Sequence, residues 1–239
     1  LKIVYQKTDS FTALDTVMQD AKKEFEASNS GVTVDLQPIQ ANDDDYGTKL
    51  ALAQRSADTA PDVFYEDTFK VRSDVDAGYL LKLDSYLEKW DDWGAFNEAA
   101  KAAGRADDGG IYAVPLGTDT RAIWYNKSVL QKAGISVPWQ PKTWDEILTA
   151  ARAMKAADPN VIPFNMYAGK GTGEGTVMQG FYELLYGTDS SLYDENEKKW
   201  VVGSQGFTDS LAFLKTLYDE KLAVRPAEAL AANVWKKVL

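Results

Sequence analysis

Between residues 11 and 28 the apolar side chains Phe11, Leu14, Val17, Met18, Ala21 and Phe25 return every three or four positions. That is the period of a helix with one buried stripe, and it predicts a helix from Phe11 to Ser28. Thr12 followed by Asp15 is a candidate cap, and Asn29-Ser30-Gly31 has the composition of a turn. A short apolar strand, Lys2–Gln6, precedes this helix, and Val32–Leu36 alternates as a half-buried strand does. A second helix is expected from about Asp43 to Ser56 and a third strand from Asp62 to Tyr65. Strand, helix, strand, helix, strand in this order implies parallel pairing with crossovers, an α/β layout.

The pattern further along is more broken. Helices are expected near Ser85–Trp90, opened by Ser85 with Glu88, and over Trp93–Ala103. Strands are expected at Ile111–Val114 and Ala122–Tyr125, bracketing Pro115 and Gly117, and a crossing between two lobes falls at residues 112–118. That gives a first lobe over 1–111 and a second over 119–239. Thr143 with Glu146 forms a capping box before a helix from Trp144 to Ala157. A strand at Val161–Met166, a helix at Glu174–Tyr186 and a hairpin within Tyr193–Val202 follow. Phe207, Leu211, Leu214 and Tyr218 mark one face of a last long helix.

Composition removes whole classes of chemistry. With no cysteine and no histidine among 239 residues, thiol nucleophiles, Cys/His metal sites and a Ser-His-Asp triad are all excluded. A formal net charge of −10 argues against nucleic acid or anionic lipid as the main partner. No apolar run approaches the roughly 20 residues that span a bilayer. The glycine-rich run Gly169-Lys170-Gly171-Thr172-Gly173-Glu174-Gly175-Thr176 lies between an expected strand and helix. It fails as a phosphate loop because Gly171, not Ser or Thr, follows Lys170, and Glu174 at the helix start repels an anion. A flexible turn, or a backbone that lets Glu174 face a neutral polar ligand, remains.

Five phrases occur in a fixed order: Ala60-Pro61-Asp62-Val63-Phe64 leading to Asp67; Ala77-Gly78-Tyr79-Leu80-Leu81-Lys82-Leu83-Asp84; Gly110-Ile111-Tyr112-Ala113-Val114-Pro115; Trp124-Tyr125-Asn126-Lys127-Ser128-Val129-Leu130 with Ala133-Gly134; and Pro141-Lys142-Thr143-Trp144-Asp145-Glu146-Ile147. Together they resemble the extracellular solute-binding proteins of sugar-importing ABC transporters, the maltose/trehalose-binding group, over nearly all the chain to about Arg225. The resemblance implies the class II periplasmic-binding-protein-like fold: two α/β lobes on a hinge, here without the C-terminal part that relatives carry beyond Leu239. It implies an extracytoplasmic location, in a periplasm or at the outer face of the membrane as a lipoprotein. A monomer that needs no cofactor and delivers a di- or oligosaccharide to a transmembrane permease is expected.

Candidate ligand-binding residues follow. Asp67 lies just past the Asp62–Tyr65 strand, where open α/β sheets place ligands, and Asp119 lies just past Ile111–Val114. In the family an acidic residue at each of these two positions touches sugar. Glu66 replaces Asp67 if the register slips by one, and Glu174 and Thr176 come from the glycine-rich run. Trp124, Tyr167 and Tyr46 are strand-end or loop aromatics able to stack on a sugar's C–H face. Asp62 and Asn126 read as structural, the latter as a cap. No metal or catalytic residue is expected. Gly117 stands where many relatives have an aromatic. Two alternatives stay open: a glycoside-hydrolase-type carboxylate pair, which needs one acid held protonated, and a binder of another solute such as a polyamine.

Overall fold

The computed structural model describes residues 1–8, 12–118, 120–169 and 175–223. The chain divides into two compact units, Leu1–Arg121 and Ala122–Leu239, meeting just beyond the expected crossing at 112–118.

The first unit is built on β1 (Lys2–Lys7), followed by α1 (Ala13–Ser28), β2 (Asp35–Gln40), α2 (Asp43–Ala53) and β3 (Val63–Phe64). The three strands form a parallel sheet in the order β2-β1-β3, as the alternation of elements requires. β1 is central and carries the core residues Val4 and Tyr5. Val4 packs with Tyr46 and Leu50 of α2, and Ile39, Ala41 and Phe64 close over them. β2 starts three residues later than its alternation suggests, because its register pairs Asp35 with Lys2 and Gln40 with Lys7. Pro38, which has no N–H to give, is tolerated there opposite Tyr5. Val34, ahead of the strand, is buried, and its N–H donates to Glu26 Oε1 at 2.7 Å.

α1 starts at Ala13, and residue 11 lies outside the described residues. Thr12 makes no capping bond. Asp15 turns instead to β1, accepting from Tyr5 Oη at 2.5 Å and Lys7 Nζ at 2.8 Å. Those partners hold its carboxyl below the usual range, the Lys7 bond most, while burial and Asp15 push the Tyr5 phenol up to about 12. Among the described members of the expected stripe Leu14 is buried, whereas Val17 and Phe25 are exposed.

After β3 a 3₁₀ turn, Thr68–Lys70, runs into α3 (Val71–Asp76), then α4 (Asp84–Leu87) and, after a second 3₁₀ turn, α5 (Glu98–Ala103). Ser85 does not open α4, whose N-terminus at Leu83 has no side-chain cap. Asp84 instead accepts from the N–H of Ile111 at 3.0 Å. α5 has a true cap, Asn97, which accepts from Ala99 and Ala100. The strands expected at Ile111–Val114 and Ala122–Tyr125 are corrected: Ile111 makes an isolated bridge to Arg105, and 122–125 carries no strand. Alternation alone does not make a strand; a neighbouring edge must accept its backbone, and among the described residues none does.

In the second unit α6 (Lys127–Lys132) begins at Asn126, whose Oδ1 accepts from Ser128 and Val129. α7 (Trp144–Ala157) begins at Thr143, whose hydroxyl accepts from the N–H of Glu146 at 3.2 Å. The Glu146 carboxylate reaches one residue further back than in the usual box and takes the N–H of Lys142 at 2.5 Å. Val161–Met166 is not a strand, and its Phe164 N–H donates to the carbonyl of Leu222. The expected Glu174–Tyr186 helix is a π-helical segment, Val177–Phe181, followed by α8 (Tyr182–Leu185). A small hairpin, β4 (Tyr193–Asp194) with β5 (Lys199–Trp200), matches the expected turn.

The last element, α9 (Gln205–Asp219), is rotated from its expected face: Gly206, Ser210, Phe213 and Leu217 are inward and Leu211 is exposed. Ser210 can be fully buried because its hydroxyl donates to the carbonyl of Gly206 at 2.7 Å, and Gly206 leaves room for Thr188 and Ser190. The core of this unit joins Ile147, Leu148 and Ala151 of α7 to Leu184 of α8 and Phe213 and Leu217 of α9. Replacing Leu217, which is 0% exposed, with Ala removes three carbons from the centre of that core. The expected cost is about 2–5 kcal/mol, measured as a lower midpoint in urea unfolding, whereas Leu211→Ala should be nearly silent.

Candidate functional site

β3 is short, and the ladder beyond it gains one further bond, from the N–H of Tyr65 to the carbonyl of Val4 at 2.9 Å. The chain then leaves the sheet with Asp67 still extended, at φ −80° and ψ 147°. Successive side chains of an extended chain point to opposite sides. Glu66 accordingly turns inward and is half-buried, while Asp67 is exposed. Asp67 Oδ1 accepts from the Thr68 hydroxyl at 3.2 Å, and the Asp67 carbonyl accepts from the N–H of Lys70. These two bonds fix a carboxylate at the tip of the sheet and leave acceptor capacity turned to solvent.

Glu66 is placed quite differently. Both its carboxyl oxygens are shut off from solvent and meet no donor among the described residues. Burial first, then the neighbouring Asp74 of α3, push its carboxyl from the usual 4.5 up to about 8, with Lys70 opposing and Asp67 adding to the rise. Gln54, at the end of α2, donates to Asp74 Oδ2 at 3.5 Å, and its own Oε1 is buried without a donor. Neither Asp74 nor Gln54 stands out in the sequence; a helical acid eight residues after Glu66 carries no signal of its own.

Tyr46 is corrected as a stacking candidate. It is 5% exposed, inside the core beside Val4 and Leu50, and its hydroxyl donates to the carbonyl of Tyr65 at 2.5 Å. Burial holds its phenol well above the usual range. Its ring is therefore unavailable to a ligand, and its role is to tie α2 to the end of β3.

In the second unit Trp124 is 80% exposed. Tyr167 is half-buried, and Gly180 of the π-helical segment lies so close to it that a Cβ would sit 2.1 Å from the Tyr167 carbonyl oxygen. Thr176 donates its hydroxyl to the carbonyl of Gly169 at 2.5 Å, linking the residues on either side of 170–174. Asp119 and Glu174 lie outside the described residues. A surface depression between α6 and α7, lined by Asn126, Lys132, Met154 and Asp158 among others, contains none of the candidates. No group of three or more acidic residues among the described residues is arranged to hold a metal ion.

The sequence profile of the bacterial extracellular solute-binding protein family matches residues 8–234. A binding protein of Brucella abortus is 32% identical over 139 residues, covering 58% of this chain and 32% of its own. The multiple sugar-binding protein of Streptococcus mutans is 26% identical over 187 residues, 77% of this chain and 40% of its own. The GacH receptor of Streptomyces glaucescens, solved unliganded and with acarbose, superposes with a TM-score of 0.74 at 25% identity, covering 99% of this chain and 56% of its own. The matched part of the chain thus spans between about a third and just over half of these relatives.

Gly180→Ala tests the contact that seats Tyr167. The methyl has nowhere to go except into backbone, so a loss of about 1–3 kcal/mol is expected in urea unfolding. An unchanged midpoint would show that the two segments separate without cost.

Proposed function

The chain belongs to the bacterial extracellular solute-binding protein family, and we propose that it forms the sugar-gripping part of an extracytoplasmic binding protein that serves an ABC transporter. The cargo is a di- or oligosaccharide. The observation that carries the reading is Asp67: an exposed carboxylate, fixed at the carboxyl end of a parallel strand, in a chain of this family. Its oxygens accept hydrogen bonds from vicinal hydroxyls, which are charge-assisted and worth about 1.5–3 kcal/mol each. Asp119 and Glu174 are further acceptors in this proposal, and Trp124 and Tyr167 supply aromatic faces for the sugar's C–H groups.

The finer parts belong to the same proposal. Residues 112–118 act as a hinge between a lobe over 1–111 and one over 119–239, and closure on the sugar gives the permease a surface that reports ligand state. The protein works as a monomer in a periplasm or at the outer face of the membrane as a lipoprotein, and it leaves its cargo chemically unchanged. Family membership supports an extracytoplasmic location, and among the described residues no helix is long and apolar enough to cross a membrane.

Calorimetric titration of the full-length protein against a panel of di- and oligosaccharides should give saturable heat for at least one. Asp67→Asn should then weaken that binding about 10- to 100-fold with the fold intact. Indifference to every glycan tested overturns the reading, and sustained release of reducing ends would replace it with catalysis.

A further inference from the structure

The closed-off carboxyl of Glu66 has a consequence of its own. Both oxygens of Glu66 are buried beside Asp74 without a donor among the described residues, and Gln54, whose amide N–H reaches Asp74, buries its own Oε1 without one as well. Two neighbouring donors are committed. The Tyr46 hydroxyl is bonded to the carbonyl of Tyr65, and the Gln54 amide already reaches Asp74. Lys70 lies with its Nζ 5.2 Å from the centre of the Phe69 ring. Two carboxylates cannot bond each other while both are ionised, since neither then has a hydrogen to give. A proton on Glu66 supplies the donor that lets the two carboxyls bond each other.

We propose that Glu66 and Asp74 share a single proton, carried by Glu66 and donated to Asp74, and that this bond pins the end of β3 to α3 in neutral solution. The groups that bear on it are few. Asp74 from α3 and Asp67 from the chain itself favour the protonated form, Lys70 from the 3₁₀ turn opposes it, and the Tyr46 phenol from α2, held well above the usual range by burial, stays neutral. The inference does not rest on the sugar reading, since a shared proton would pin these elements whatever the cargo.

The direction of the pH effect follows from the proton's affinity. The folded chain holds it up to about pH 8, whereas a free carboxyl releases it near 4.5. The stabilisation is therefore complete below about pH 4.5, declines as pH rises, and is gone above about pH 8. Glu66→Gln keeps the shape and an N–H donor for Asp74 but has nothing to titrate. Urea unfolding of the full chain and of this variant from about pH 5 to pH 9 tests the pair. The folding constant of the wild type relative to the variant should fall about tenfold per pH unit between about 5 and 8, then level off. Asp74→Asn should shift the decline of the parent chain to lower pH.

Infrared spectra of the folded wild type provide a reading that no variant's misfolding can obscure. A protonated-carboxyl C=O band should persist at pH 7 and vanish by about pH 9. A ratio of folding constants that stays constant across the range, or a wild type with no such band at pH 7, overturns the shared proton. Either result would leave an ionised Glu66 solvated by buried water.

Discussion

β1 gives backbone partners to strands on both its edges, and on the β3 side the ladder ends at the bond from Tyr65 to Val4. That end point decides what each following residue can do. Because the chain stays extended for two more residues, the pleat sends one carboxyl in and the next out. One register step the other way would bury Asp67 and expose Glu66. The Tyr46 hydroxyl, fastened to the carbonyl of Tyr65, holds that step in place from α2. A core tyrosine thus serves the candidate site indirectly, by fixing the backbone from which Asp67 projects.

The same geometry bears on the rival chemistries. A glycoside hydrolase needs a protonated acid, and Glu66 has the required raised affinity. It lacks access: both oxygens are closed to solvent, so no glycosidic oxygen can reach the proton. A carboxyl kept neutral where no substrate can touch it is a structural acid.

Local chemistry was the readable part of this sequence. Thr143 and Asn126 act within three residues, and their caps stand where the residue types put them. The parallel order of the first sheet followed from element alternation, and Asp67 from its place past β3. What depended on distant partners was not readable. The runs 122–125 and 161–166 have the apolar character of strands but no edge among the described residues to pair with. On α9 the row Phe207, Leu211, Leu214 and Tyr218 marks a flank, because a serine that satisfies its own hydroxyl and a glycine that admits neighbours share the innermost positions with Phe213 and Leu217. Tyr46 looked like a surface aromatic for a related reason: a phenol may lie in a core once its hydroxyl has a carbonyl to meet.

Thr176 is tied to the start of the glycine-rich run by its own side chain. Its hydroxyl hydrogen is committed to Gly169, which links the two sides of the glycine-rich run. Four residues on, Gly180 brings the π-helical segment against the Tyr167 backbone, where any side chain would force the two apart. π-Helical turns recur where a helix must present one residue out of its normal register, often at functional sites. In this unit, then, a small residue, a hydroxyl and a widened turn set the backbone at Tyr167 and Thr176, whereas in the first unit strand register and a core tyrosine place Asp67.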